Sequence, residues 1–133
     1  MLPTELPGEV KPRGNYTYTL AKKPYQIKFD KSQSLLGMPK AKTWILLANH
    51  ADASLMRNKV AYDLASSIGL DYSNETRWVD LRINGEYRGN YLVSEKVQTG
   101  TNRVELQHPE GIVVELDHRG DGTQPGYPAE DYW

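Results

Sequence analysis

The alternation of hydrophobic and polar residues predicts a chain built mainly of β-strands. Residues 78–97 contain two apolar arms on either side of Asn84-Gly85. Asn-Gly is the dipeptide that most readily adopts positive φ at both central positions of a type I′ turn, so this segment is predicted to be a β-hairpin. In residues 25–30 every second position is aromatic or aliphatic, which predicts a half-buried strand with Lys28 on its polar face.

Shorter runs predict further strands. Residues 16–20 alternate aromatic and polar side chains, and residues 111–117 end an apolar run with a carboxylate. Residues 103–106 are interpreted as another short strand, and the apolar run 44–48 fits either a buried strand or a helical turn. Residues 1–14 are rich in proline and glycine, which predicts an extended or disordered lead-in.

One helix is predicted with more certainty than any strand. Between residues 53 and 68 the apolar side chains repeat at intervals of three and four, which is typical of an amphipathic helix. Asp52 is the expected N-cap and Gly69 the expected C′ residue. The order of elements predicts an α+β fold, a mostly antiparallel sheet with one principal helix packed on a face.

Composition narrows the classes of function. The chain has 133 residues, the length of one domain, and 38% of them are hydrophobic. It has no cysteine, which excludes disulfides, thiolate metal ligands and a cysteine nucleophile. No apolar run reaches the length of a membrane span, and the three histidines lack metal-ligand spacing, so we expect neither a transmembrane segment nor a metal site here.

Charge is distributed unevenly along the chain. Residues 1–60 carry ten Lys or Arg against four Asp or Glu, whereas residues 61–133 carry six against thirteen. A basic half beside an acidic half suits a polyanion site with a metal nearby. Two other interpretations stay open: the halves attract each other across the fold, or the lysines face water.

Eight short motifs, in a fixed order, resemble the CotH kinase family of spore-coat-protein-H-like proteins. No single motif is specific, and the order carries the resemblance. They are RGNYT at 13–17, KKPYQIKF at 22–29, LLG at 35–37, WIL at 44–46, DASLMRN at 52–58, NGEYRGNY at 84–91, EK at 95–96 and ELD at 115–117.

The resemblance implies an atypical protein kinase that transfers the ATP γ-phosphate to Ser or Thr of protein substrates, with Mg²⁺ as the metal. Residues 15–117 would then form a region like a kinase N-lobe, after the lead-in 1–14. Residues 118–133 would be the truncated start of the following region or a tail. The family's catalytic and metal-binding aspartates lie downstream of the stretch matched by residues 115–117. We therefore expect this chain alone to be inactive and the metal ligands to lie outside it.

Three basic side chains are candidates for phosphate contact. Arg13, next to Gly14, fits a phosphate-covering loop, because a guanidinium binds phosphate bidentately. Lys28 on its strand is favoured over Lys23 as the lysine that reaches the α- and β-phosphates. Arg57, near the start of the helix, either contacts phosphate or a neighbouring carboxylate, or ties the helix to a loop. The alternative for each is an ordinary surface residue.

Two further residues are candidates for the nucleoside. Tyr91 has a flat ring that can flank a base, and Glu95 corresponds to the segment that joins two kinase lobes. The alternatives are that Tyr91 packs in the core and that Glu95 pairs with Lys96 or Arg88. We expect Arg13, Lys28 and Glu95 to converge on one cleft. Glu115 and Asp117 share a strand face and fit either a metal site or two solvated acids.

The predicted partners are a nucleotide and a protein substrate, with no nucleic acid. A second hypothesis is a non-catalytic binding or scaffold module of an exported or coat-associated protein. Surface left bare by a missing half would favour self-association. The parent protein is expected in the spore coat or at the cell surface.

Overall fold

A five-stranded antiparallel sheet dominates the computed structural model, which describes residues 5–114. The strand order is β1-β2-β3-β5-β4, so β3 and β5 are interior strands. The strands are Gly8–Pro12 (β1), Tyr25–Gln33 (β2), Ala41–Leu47 (β3), Thr76–Ile83 (β4) and Glu86–Glu95 (β5), and the helices are Tyr16–Thr19 (α1) and Arg57–Ser67 (α2). The predicted mostly antiparallel sheet is confirmed, and its combination with few helices is compatible with an α+β fold. No helix in the described part of the chain is both long enough and apolar enough to cross a bilayer.

The predicted hairpin is confirmed as β4 and β5. Asn84 and Gly85 have φ of 51° and 82°, the two positive values that a type I′ turn requires. Ile83 pairs with Glu86 across the turn, and a register shift follows between Leu81 and Arg82.

The core lies on one face of the sheet, where alternate residues of the central strands meet. Trp44 and Leu46 of β3 face Tyr91 and Val93 of β5, and all four are at least 98% buried. Phe29 of β2 extends this cluster. Because each of these strands has a neighbour on both sides, a one-residue slip would turn the whole apolar set to the opposite face, which fixes the register.

The chain before β2 differs from the prediction. Residues 16–20 do not form a strand: Tyr16–Thr19 is a single helical turn. The Thr19 hydroxyl donates to the Tyr16 carbonyl oxygen at 2.7 Å, and Lys23 Nζ donates to the Tyr18 carbonyl oxygen at 2.7 Å. Tyr16 and Tyr18 are exposed, so their alternation with threonine does not reflect a buried face.

Part of the predicted lead-in belongs to the sheet. β1 pairs with β2 from Gly8–Phe29 to Pro12–Tyr25. A Cβ at Gly8 would lie only 2.6 Å from the Lys28 carbonyl oxygen, so the strands can approach this closely only with glycine at that position. β1 lies at the edge of the sheet, where proline is tolerated.

The chain after β5 also differs from the prediction. Residues 103–106 do not form a strand, and the nearest pairing is an isolated bridge between Thr99 and Val104. Residues 111–114 have no strand structure, and residues 115–117, with Glu115 and Asp117, lie outside the described residues. The reason for the first difference is that Arg103 turns inward to an ion pair.

Helix α2 begins four residues later than predicted, and its end matches. Asp52 is not the N-cap; its carboxylate accepts the backbone N–H groups of Ser54 at 3.0 Å and Arg57 at 2.9 Å. At the other end Gly69 has φ 76°, and Leu70 N–H donates to the Ala65 carbonyl oxygen. That bond is the Schellman ending expected of a C′ glycine.

The apolar stripe of α2 is not buried, contrary to the expected packing on the sheet. No residue of the helix is buried. The exposed fractions of Met56, Val60, Leu64 and Ile68 lie between 52% and 64%. Polar bonds hold the helix instead: Asn58 Nδ2 donates to Asn49 Oδ1 at 2.7 Å, and the Ser73 hydroxyl donates to the Tyr62 carbonyl oxygen at 2.7 Å.

A buried ion pair links the end of β5 to the segment that follows. Arg103 Nη1 lies 2.5 Å from Glu95 Oε1, and both side chains are at least 96% buried. Glu95 Oε2 accepts Glu75 N–H at 3.1 Å and the Tyr72 hydroxyl at 3.4 Å. The guanidinium also lies 4.9 Å from the centre of the Trp44 ring. Removing either partner would leave the other buried without its counter-charge.

Arg103→Ala is expected to lower the free energy of unfolding by roughly 3–5 kcal/mol, because it leaves the Glu95 carboxylate buried without its counter-charge. The measurement is urea unfolding followed by tryptophan fluorescence. The control is Arg88→Ala, which breaks the exposed Arg88–Glu86 pair and is expected to cost less than about 1 kcal/mol. Equal losses in the two variants would show that the Glu95–Arg103 pair is not a structural contact.

Tyr72 predicts a pH dependence of stability at alkaline pH. Burial, followed by the nearby Glu95 carboxylate, raises its pKa from 10.0 to about 12. The folded state therefore holds this proton more tightly than the unfolded state. The resulting stabilisation is complete below pH 10 and is lost as the pH rises through about 12. Tyr72→Phe should flatten this decline in urea unfolding measured across that range, whereas Tyr16→Phe, an exposed position, should keep it.

Candidate functional site

A concavity of about 330 Å³ lies where the chain leaves β1, enters β2, leaves β3 and enters α2. Three cationic side chains from separate segments line it: Arg13, Lys22 and Arg57. The polar side chains in its wall are Thr17, Asn49, His50, Asp52 and Asn58. We call this concavity the cationic pocket.

Arg13 is placed by the turn that follows β1. Its backbone N–H donates to the Pro24 carbonyl oxygen at 3.0 Å, which ties it to the start of β2. Gly14 then has φ 92°, and a Cβ at this position would lie 2.2 Å from the Thr17 hydroxyl oxygen. Only glycine fits this turn without strain, so the Arg-Gly pair sets the direction in which the chain enters α1.

Lys22 is held in place by contacts with residues of β5. Its Nζ donates to the Asn90 carbonyl oxygen and lies 4.7 Å from the centre of the Tyr91 ring. Burial lowers the pKa of this ammonium. A Cβ at Gly89 would come within 3.3 Å of Lys22 Cε, so the glycine gives the lysine room to cross β5.

The loop between β3 and α2 supplies most of the remaining wall. Asn49 has φ 49°, its Nδ2 donates to the Leu55 carbonyl oxygen at 2.8 Å, and its Oδ1 accepts from Asn58. Asn tolerates the left-handed conformation better than most residues. Asn49 thus fixes the loop at the end of a buried strand, which gives the polar groups a rigid support.

Asp52 is the acidic residue in the wall, and it is already engaged. Its Oδ1 lies 3.6 Å from Arg57 Nε, and its two oxygens accept hydrogen bonds from Ser54 and from Arg57 N–H. These hydrogen bonds, that of the Ser54 hydroxyl first, lower the pKa of Asp52. The Arg57 side chain itself is 83% exposed, so its guanidinium is accessible to a ligand.

The wall therefore has a surplus of positive charge. Its three cations are Arg13, Lys22 and Arg57. Its carboxylate is Asp52, which already forms an ion pair with Arg57. Guanidinium and ammonium groups that converge from different segments are suited to an oligo-anion such as a phosphate chain. The described residues contain no group of three or more His, Cys, Asp or Glu placed to hold a metal ion.

The structure separates the predicted phosphate contacts. Arg13 and Arg57 both line the cationic pocket. Lys28 lines a different depression, with Lys11 and Lys96, and Lys23 bonds to the carbonyl oxygen of Tyr18. The expected convergence of Arg13, Lys28 and Glu95 on one cleft is therefore not what the structure shows.

The two residues assigned to the nucleoside are engaged within the fold. Tyr91 is 2% exposed, and its hydroxyl donates to the Lys23 carbonyl oxygen at 2.9 Å. The Glu95 carboxylate forms an ion pair with Arg103. The backbone N–H of Glu95 donates to the Glu75 carbonyl oxygen, and the backbone carbonyl oxygen of Glu95 accepts from Asn74. The core alternative for Tyr91 agrees with this placement, while Glu95 pairs with Arg103 rather than with Lys96 or Arg88.

Sequence reasoning missed two important residues, Lys22 and Arg103. Lys22 and Lys23 are adjacent in the break before β2. The sequence does not indicate which of the two lysines turns toward Arg13. Arg103 was assigned to a strand, and no local pattern marks a buried arginine.

Comparisons with known proteins agree with the ordered motifs. The model of the family described as CotH kinase protein matches residues 10–132. "Inner spore coat protein H" of Bacillus subtilis (strain 168) is 34% identical over 85 residues, which cover 64% of this chain and 22% of that protein. The aligned part thus amounts to less than a quarter of this relative's length. Because the family match extends over nearly the whole sequence, the chain belongs to the CotH kinase protein family.

Proposed function

We propose that this chain is the nucleotide-phosphate-binding part of a CotH-type protein kinase that transfers the ATP γ-phosphate to Ser or Thr of protein substrates. The observation that carries the proposal is the meeting of Arg13, Lys22 and Arg57 in one concavity. Arg13 and Lys22 lie on either side of α1, and Arg57 comes from the start of α2, more than thirty residues later. In phosphoryl transfer most of the protein's work is positioning and charge neutralisation, which is what such a set of cations supplies.

In this proposal Arg13 and Arg57 contact phosphate oxygens and Lys22 supplies a point charge. The guanidinium groups offer paired donors, and the ammonium is pre-placed by its bond to Asn90. Gly14 leaves the backbone accessible at the rim. The contact of Lys28, Tyr91 and Glu95 with the nucleotide stays a prediction; Glu95 supports the sheet through Arg103.

The antiparallel sheet with a helix after its third strand is compatible with a kinase N-lobe. One detail departs from the protein-kinase pattern, in which a helix carboxylate pairs with the phosphate lysine. Asp63, the acidic residue of α2, bonds instead to Lys59 on the same helix. Magnesium, when bound, would offset phosphate charge, and we assign its ligands to the rest of the parent protein.

The relative's name also supports a proposal about location. We place the parent protein in the spore coat, because the matched relative is called an inner spore coat protein. This assignment rests on similarity over part of both chains.

A second candidate function is a non-catalytic module that binds another protein. The exposed apolar stripe of α2 favours it, since surface of that kind commonly marks a protein contact. This second function would be favoured over the first by two results together. Neither this chain nor the longer parent protein would bind nucleotide, and the chain would self-associate as its concentration rises.

The chain is expected to bind ATP, and Arg13→Ala and Arg57→Ala should each weaken binding by about tenfold, the loss of one charge-assisted contact. Titration calorimetry at physiological salt measures this. Lys31→Ala removes an exposed positive charge that does not line the cationic pocket, and it should leave binding within about twofold.

Lys28→Ala is the discriminating variant in the same titration. Weaker ATP binding in Lys28→Ala, with Arg13→Ala and Arg57→Ala unchanged, would reject the cationic pocket and restore Lys28 as the phosphate lysine.

The parent protein with its downstream region is expected to transfer labelled phosphate from ATP to a serine-rich protein, whereas this chain alone should not. Arg13→Ala in the longer protein should slow transfer by about tenfold or more, because it removes charge neutralisation at the phosphates. Lys31→Ala serves as the matched control. A full rate in Arg13→Ala would contradict the assigned role.

A further inference from the structure

A second cationic surface lies on the sheet face opposite the core. A depression of about 240 Å³ is lined by Glu9 and Lys11 of β1, Gln26 and Lys28 of β2, Thr43 of β3, and Lys96, which follows β5. The strand register brings these residues together: Glu9 pairs with Lys28, and Lys28 pairs with Thr43. We call this depression the lysine face.

The three ammonium groups of the lysine face, like those of Lys31, Lys40 and Lys42, are not engaged within the described part of the fold, unlike those of three other lysines. Lys22, Lys23 and Lys59 each donate to an oxygen atom within the fold. Among the described residues, the ammonium groups of Lys11, Lys28 and Lys96 make neither a hydrogen bond nor an ion pair.

Like charges close together on neighbouring strands destabilise a sheet. One carboxylate, Glu9, lines the depression, which leaves a surplus of two positive charges. An anion bound in the depression would offset this surplus of positive charge.

We propose that the lysine face binds a phosphoserine or phosphothreonine residue of an extended polypeptide. A phosphoryl group carries close to two negative charges and three acceptor oxygens, which matches the surplus charge and the convergence of donors from separate strands. A carboxylate carries one charge and matches it less well. Gln26 and Thr43 add neutral donors in the same depression.

The neighbouring edge strand favours a polypeptide over a free anion. Within residues 5–114, β1 has a strand partner on one side only, and all five of its residues are exposed. Unpaired backbone groups along such an edge can accept an added strand. A peptide lying along β1 would bring a phosphorylated side chain within reach of Lys11 at the border of the lysine face.

This inference rests on the proposed function, because the phosphorylated polypeptide is then the product of the same kinase. The lysine face and the cationic pocket have no lining residue in common. A substrate held by its first phosphate at the lysine face would stay bound while further hydroxyl groups are presented to ATP.

The test is fluorescence anisotropy of this chain with a labelled serine peptide in phosphorylated, unphosphorylated and glutamate-substituted forms. At about 150 mM salt, which screens non-specific attraction, the phosphorylated form should bind at least about tenfold more tightly than either other form. The double variant Lys28→Ala/Lys96→Ala should lose about tenfold in affinity for it. Lys31→Ala/Lys40→Ala removes the same charge outside the depression and should change binding by less than about twofold.

Three results would overturn the inference: equal binding of all three peptides, equal loss in the two double variants, or inorganic phosphate competing as tightly as the phosphopeptide. Arg13→Ala/Arg57→Ala separates the two proposals. If this variant keeps phosphopeptide binding and loses ATP, both sites stand. If the wild-type chain binds the phosphopeptide but not ATP, the proposed function fails and the lysine face remains.

Discussion

The pairing of β3 with β5, two of the three interior strands, is the constraint on which the rest of the structure depends. Trp44 and Leu46 meet Tyr91 and Val93 in a core from which water is excluded. A one-residue slip would move these four side chains out of the cluster, and the observed register places the ends of both strands. The loop that follows β3 leads to Arg57, and β5 ends at the buried Glu95. The cationic pocket and the ion pair are therefore two consequences of the same pairing.

Positive charge in the first half of the chain is divided between two surfaces. Lys22 and Lys28 lie six positions apart, yet the former turns over Tyr91 toward Arg13 and the latter projects from the opposite side of the sheet. Lys22 precedes β2 and does not follow its alternation, whereas Lys28 lies within β2 and points away from the face of Ile27 and Phe29. A simple electrostatic pairing of the basic and acidic halves does not account for the arrangement, since the ion pairs of the described residues join near neighbours in sequence.

Local signals predicted the features that local energetics control. Asn84-Gly85 identified the hairpin and Gly69 the end of α2, because in both places positive φ is required and glycine adopts it with little strain.

Prediction failed where tertiary contacts determine the structure. The tyrosines of α1 alternate without a strand partner, and the stripe of α2 is apolar without being covered. Arg103 is stabilised by Glu95, which lies at the end of a different element, and by Trp44, which is distant in sequence. Chemistry made Arg13 and Arg57 candidates for phosphate contact, but their meeting in one pocket follows from topology.

The central claim is that phosphate binds among Arg13, Lys22 and Arg57. It is tested most directly by titrating the ¹⁵N-labelled chain with pyrophosphate and mapping the backbone amide shifts. The account predicts that Gly14, Asn49 and Asn58 shift in a saturable way while the amides of β4 stay still. Saturable shifts confined to Lys28, Thr43 and Lys96, with the turn at Gly14 unmoved, would contradict it.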